Sequence, residues 1–198
     1  MARTALSVAN LVDRAADRFG DKALAVREEH VTYRHLGYDH TSRVLTFNQA
    51  LRSCKTVAAA LADRLGVKPG DRIALVLTNV PEIGLFFTAA ARIGAIIVPF
   101  NYMLKATELR GAIADCGAKV LVTEPDLFET NIRDKSNVPG IEHWVMTGDA
   151  GDVPPEFMSI DDLTEGFSEA EVEPVSLDRN APIAIFYTSG TTGFPKGA

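Results

Sequence analysis

Tyr187-Thr188-Ser189-Gly190-Thr191-Thr192-Gly193-Phe194-Pro195-Lys196-Gly197-Ala198 closes the chain, and its composition suits it to hold phosphate. Gly190, Gly193 and Gly197 permit close main-chain approach and positive φ angles. The hydroxyls of Thr188, Ser189, Thr191 and Thr192 can donate hydrogen bonds, and Lys196 adds a positive charge. Successive backbone N–H groups in such a turn form an anion-binding nest. Ile183-Ala184-Ile185-Phe186-Tyr187 precedes the run and reads as a buried strand from which the loop hangs. Flexible Ser/Thr/Gly linkers share the composition, but they rarely carry Pro195-Lys196-Gly197 directly behind it. The run is not a Walker A motif, which needs Gly-x-x-x-x-Gly-Lys-Ser/Thr opening a helix. Pro195 and Gly197 flank Lys196 and argue against a helix starting there.

Upstream, apolar spacing alternates between two periods. Val8, Leu11, Val12, Ala15 and Phe19 fall at helical intervals, with Gly20 placed to end the helix. Residues 23–27 and 31–33 read as a short hairpin. Phe47, Ala50, Leu51, Cys54, Val57, Ala58, Leu61 and Leu65 line one face of the clearest helix, and Thr46 with Gln49 matches a capping box. Gly66 ends that helix, and Lys68-Pro69-Gly70-Asp71 makes a turn. Strands are expected at 73–77, 95–98, 119–123 and 143–146, with helices at 81–93, 106–116 and 127–133 between them. Repeated β-α-β units with near-continuous apolar strands predict an α/β fold: a largely parallel sheet flanked by helices on both faces. Ligands of such sheets bind beyond the carboxyl ends of the strands.

The bulk numbers exclude several classes. The 198 residues suffice for one good core, and 46% hydrophobic with 23% charged residues is ordinary for a globular protein. A net charge of −6 gives no electrostatic reason to bind nucleic acid. Between Gly148 and Arg179 lie ten acids and a single base together with Pro154, Pro155 and Pro174, so 148–180 reads as an acidic, solvated connector. Cys54 and Cys116 sit among apolar neighbours and read as buried free thiols. His30, His35, His40 and His143 lack metal-ligand spacing, so no metal site is expected in the chain. Residues 83–100 hold eighteen residues with only Arg92 charged, the threshold length for a membrane span. Arg92 in the middle, Gly94, and β-branched Ile96, Ile97 and Val98 favour a buried helix followed by a buried strand, so no transmembrane segment is expected. No secretory leader is visible.

The closing run resembles the signature of the AMP-forming adenylating superfamily of acyl-CoA synthetases, luciferases and peptide-synthetase adenylation domains. Other segments resemble the same superfamily in its usual order: Lys68-Pro69-Gly70-Asp71-Arg72-Ile73 with Asn79, Ala91-Arg92-Ile93-Gly94-Ala95 with Val98-Pro99-Phe100-Asn101, and Glu108-Leu109 through Asp115-Cys116-Gly117-Ala118-Lys119-Val120. Asn101 leans toward the acyl- and fatty-acyl-CoA ligase branch. One departure stands out: Val31-Thr32-Tyr33-Arg34-His35-Leu36 and Leu45-Thr46-Phe47-Asn48-Gln49-Ala50-Leu51 both resemble a segment the family carries once. The residues between them read as an inserted loop.

The resemblance implies the first part of the large N-terminal domain of acyl-CoA synthetases. Along it run a helical entry region with hairpin (7–66), β-α-β repeats (72–147), the acidic connector (148–180), and a strand with the phosphate loop (182–198). It implies an ATP-dependent, AMP-forming acyl-CoA (fatty-acid–CoA) ligase of lipid metabolism. A fatty or other carboxylic acid attacks the α-phosphate of ATP, giving acyl-adenylate and pyrophosphate, and coenzyme A then displaces AMP. Thr188, Ser189, Gly190, Thr191, Thr192, Gly193 and Lys196 would wrap the β- and γ-phosphates with Mg²⁺. Tyr187 reads as a packing residue. The adenine- and ribose-binding segments, the magnesium-binding glutamate and the mobile C-terminal domain would follow Ala198, so no catalytic residue is expected within the chain. A truncated polypeptide, inactive alone and self-associating through an incomplete sheet, is the expectation, in the cytoplasm or at a membrane surface. The alternative is a non-catalytic phosphate-binding or interaction module that keeps the first half of the fold.

Overall fold

A computed structural model describes residues 7–26, 44–148, 153–167, 170–188 and 195–198. A 3₁₀ turn, Val8–Asn10, leads into α1 (Leu11–Phe19), which Gly20 closes at φ 54°. β1 (Ala23–Val26) pairs antiparallel with β2 (Val44–Thr46). Of the hairpin expected between 23–27 and 31–33, only 23–26 lies among the described residues. β1 takes its partner from the second of the two similar segments, and 31–33 lies outside the described residues. β2 is next to α2 (Phe47–Ala59) in sequence, so the second segment leads straight into the helix.

α2 starts where the residues predict. Thr46 Oγ1 accepts from the Gln49 N–H at 3.2 Å, and Gln49 Oε1 accepts from the Thr46 N–H at 2.8 Å. These bonds satisfy orphan donors of the first turn. The helix runs on through a π-helical turn, Ala60–Arg64, and Gly66 beyond it sits at φ 64°.

β3 (Arg72–Val76), α3 (Pro81–Arg92), β4 (Ile96–Pro99), α4 (Ala106–Cys116) and β5 (Val120–Thr123) follow within two residues of their expected limits. Pro81 occupies the first turn of α3, where its missing N–H costs nothing. The 83–100 stretch is thus a helix followed by a strand. No helix among the described residues is long and apolar enough to cross a membrane. The helix expected at 127–133 begins earlier, as α5 (Pro125–Leu127), and continues as a π-helical turn, Phe128–Ile132. β6 (His143–Met146) matches its expectation.

The five-stranded sheet runs β4-β3-β5-β6-β7, every pair parallel, with β7 being Met158–Ser159. Alternation survives inside strands that are apolar throughout. Ile73, Leu75, Ile97, Val120, Val122 and Val145 face a cluster with Val57 and Leu61 of the α2 region and Phe86 of α3. Ala74, Val76, Val98, Leu121 and Met146 face Leu109 and Ile113 of α4, with Phe128 and Ile132. Both faces are covered, which is the arrangement a parallel sheet needs.

The acidic connector is the larger correction. Met158–Ser159 is the sheet's edge strand, and α6 (Ile160–Thr164) follows it with Ile160 and Leu163 fully buried. Ser159 and Asp162 form a capping box that places two acids at the helix start, where the macrodipole favours them. Arg64 donates to the carbonyls of Asp162 and Glu165, the latter at 2.8 Å, and so ties α6 to the end of the α2 region. Composition averages over the stretch; burial selects the apolar residues within it. Lys55 pairs with Glu171 farther along, and Val175 N–H donates to Arg92 O at 2.9 Å. The segment thus runs pinned along the protein toward the final loop.

Candidate functional site

The chain reaches the site alongside β4. Ile97 N–H donates to Ile183 O at 3.1 Å, and Ile185 N–H donates to Ile97 O at 2.9 Å, making one parallel bridge between Ala184 and Ile97. Residues 183–187 are therefore half-buried rather than a buried strand, and Phe186 is 55% exposed. Because the bridge is parallel, three residues further on each chain should lie side by side. They do: the ring of Tyr187 sits 5.3 Å from that of Phe100, just past β4. The site therefore opens at the carboxyl ends of the strands.

There the chain turns back. β8 (Tyr187–Thr188) pairs antiparallel with β9 (Lys196–Gly197), Tyr187 opposite Gly197 and Thr188 opposite Lys196. Phe186 and Ala198 exchange both N–H···O bonds, at 2.9 and 3.0 Å. On this side β9 and Ala198 cover residues 186–188. Ser189, Gly190, Thr191, Thr192 and Gly193 lie outside the described residues.

Partners directly opposite share a face, and successive residues alternate. Tyr187 and Gly197 form the inner face; Thr188 and Lys196 form the outer one, both exposed. Of the residues named for phosphate, the structure thus brings Thr188 and Lys196 together at the mouth of the turn. Lys196 forms no ion pair among the described residues.

Tyr187 is a packing residue, as its sequence context suggests, and it does more than pack. Its hydroxyl donates to Asp115 Oδ2 at 2.6 Å. Burial pushes the phenol pKa well up, and the Asp115 acceptor and its charge push it further. Gly197 makes room for the ring: a Cβ there would lie 2.9 Å from Ile185 Cγ2 and 3.1 Å from Tyr187 Cζ. Asp115 was missed as a site-supporting residue because it is 72 positions from Tyr187 and no local pattern links them.

Two strands inward, the Glu124 carboxylate accepts from the N–H and Oγ1 of Thr78, the latter at 2.8 Å. This joins the carboxyl ends of β3 and β5. Asn101 Oδ1 accepts from Met103 N–H at 3.0 Å, so it stabilises the turn after β4. Burial pushes both thiols up, Cys54 and Cys116 alike, which leaves them poor nucleophiles. Among the described residues no group of His, Cys, Asp or Glu could hold a metal ion.

A model of the family described as AMP-binding enzyme matches residues 12–198. The 4-coumarate-CoA ligase 1 of Narcissus pseudonarcissus is 33% identical over 157 residues, which cover 79% of this chain and 28% of that protein. The acetyl-coenzyme A synthetase of Pyrobaculum arsenaticum is 31% identical over 209 residues, covering 94% of this chain and 30% of that one. Among solved structures, the anthranilate CoA ligase AuaEII in complex with anthranoyl-AMP superposes with a TM-score of 0.79 at 26% identity. It covers 97% of this chain and 34% of its own. The chain spans less than a third of the length of these two curated relatives.

Proposed function

The chain belongs to the AMP-binding enzyme family, and from that membership we propose that it supplies the polyphosphate cradle of an ATP-dependent, AMP-forming acid–thiol ligase. The observation that carries the reading is the pairing of Thr188 with Lys196 across a hairpin at the carboxyl end of a parallel sheet. A hydroxyl and an ammonium stand side by side on an exposed face, and the intervening turn is rich in Gly, Ser and Thr. In the proposed reaction a carboxylate oxygen bonds to the α-phosphorus of ATP and pyrophosphate leaves; the sulfur of coenzyme A then bonds to the acyl carbon and AMP leaves. Negative charge gathers on the departing pyrophosphate, and donors already aimed at it lower the barrier. Lys196 contributes a point charge, Thr188 a hydroxyl, and Ser189, Gly190, Thr191, Thr192 and Gly193 complete the cradle. Magnesium enters as the counter-ion of ATP.

The acid is a fatty acid in this proposal, on the strength of Asn101. Relatives acting on 4-coumarate and acetate make the acid a matter for direct comparison. Adenylate formation needs groups converging from several elements. The cradle is the part of that convergence which this proposal assigns to the chain.

Calorimetric titration of Mg-ATP into the chain tests the cradle. Lys196→Ala should weaken binding about tenfold, the size of one charge-assisted contact. Unchanged affinity would remove Lys196 from the site. ATP–pyrophosphate exchange with long-chain fatty acids, 4-coumarate and acetate tests the acid; exchange supported by 4-coumarate or acetate but not by long-chain fatty acids would refute the fatty-acid reading.

A further inference from the structure

The hairpin that carries Thr188 and Lys196 overhangs the sheet. Among the described residues, the last main-chain bond joining it to β4 is that from Ile185 to Ile97. The next donor on that side of β4 would be residue 99, and Pro99 has no N–H to give. Two-residue strands are too short to hold a hairpin by themselves. Something else must set how the hairpin leans.

Tyr187 is placed to do this. Its ring lies between Phe100 on one side and Gly197 on the other, in room that a Cβ at residue 197 would fill. Clamped so, the phenol can swing little, and its hydroxyl meets Asp115 at 2.6 Å. Asp115 occupies the last turn of α4, which holds no basic residue. A carboxylate there opposes the helix macrodipole. The guanidinium of Arg72, donating to the carbonyls of Cys116 at 3.1 Å and Gly117 at 2.5 Å, brings positive charge to the same helix end. Helix electrostatics alone would not choose an acid at this position; the tyrosine hydroxyl gives it a partner.

We propose that Tyr187 and Asp115 are a positioning pair that pins the phosphate-loop hairpin to α4 and so sets its affinity for a triphosphate. The affinity half of this rests on the polyphosphate reading above; the tether half does not. Tyr187 and Gly197 are the immediate chain neighbours of Thr188 and Lys196, so a shift of the inner pair moves the outer pair with it.

Tyr187→Phe keeps the ring and removes only the hydroxyl. Two measurements on the full chain decide the matter. In Mg-ATP titration, Tyr187→Phe and Asp115→Ala should each weaken binding about tenfold. Asp115→Asn, whose amide oxygen can still accept, should stay within about twofold of wild type. The urea midpoint of Tyr187→Phe should lie close to wild type, separating loss of positioning from loss of fold. In hydrogen exchange, the Phe186 and Ala198 amides should exchange about tenfold faster in Tyr187→Phe than in wild type. Wild-type exchange and wild-type affinity in Tyr187→Phe would overturn the proposal. So would equal defects in Asp115→Asn and Asp115→Ala. If the wild-type chain binds no Mg-ATP, the polyphosphate reading and the affinity half fall together, while faster exchange in Tyr187→Phe would uphold the tether.

Discussion

Asp71 closes the turn before β3 and shows how one side chain joins distant parts of the chain. Its Oδ2 accepts from the Lys68 N–H and from Lys119 Nζ, both at 3.0 Å. Burial would raise its pKa, but the Lys68 N–H and the Lys119 ammonium outweigh that and hold the carboxyl below its ordinary 3.8. A depressed carboxylate stabilises the fold above the unfolded-state value and loses that contribution as pH falls through the folded-state value. Wild type should therefore exceed Asp71→Asn in urea midpoint at neutral pH, and the gap should close as pH drops below about 4. A gap that stays constant down to pH 2 would show that the charge is not what matters. The Lys68-Pro69-Gly70-Asp71 turn was legible because its residues are adjacent. The Lys119 partner, 48 positions away, was not. Tyr187 follows the same rule: its aromatic packing could be inferred, while Asp115 could not.

At the scale of elements, helix entries test how far local chemistry reaches. Thr46→Ala removes the acceptor that the Gln49 N–H uses and should cost about 1 kcal/mol in urea unfolding, whereas Thr46→Ser should cost little. Equal stability of Thr46→Ala and wild type would mean that the cap is replaced by water. This box was read from the sequence because a strongly periodic helix follows it. The equivalent box at Ser159 and Asp162 was passed over. Its signal, a serine three residues before an acid, was present, but the surrounding acids and prolines were read as solvated chain. The strands divide similarly. Those of four or five residues were placed within two residues, whereas the two-residue strands β7, β8 and β9 carry no period that could reveal them.

Across the whole molecule, Arg92 is the residue on which separate parts converge. It is 1% exposed, donates to Asp13 Oδ2 at 2.5 Å and Oδ1 at 2.9 Å, and donates through Nε to Val172 O. Burial would lower its pKa, yet the hydrogen bonds and charge of Asp13 more than offset this and raise it. One guanidinium thus holds α1, α3 and the segment leading to the hairpin. Asp13→Ala strands a buried charge and should cost about 3 kcal/mol in urea unfolding. Replacing both partners, with Arg92→Met and Asp13→Ala together, should cost less than the sum of the singles. Strict additivity would show that the two residues do not act as a pair.

From the sequence alone came the alternation of helices and strands, the Thr46 cap, the parallel α/β class and the phosphate-loop composition. Each depends on residues within a few positions of one another, and periods of 2 and 3.6 are visible at that range. Only the tertiary structure decided that β1 pairs with β2, that an acidic stretch supplies the sheet's edge strand, that β8 pairs with β9, and that the Tyr187 hydroxyl meets Asp115. Those outcomes depend on which distant groups meet, and that choice is made by burial and geometry across the fold.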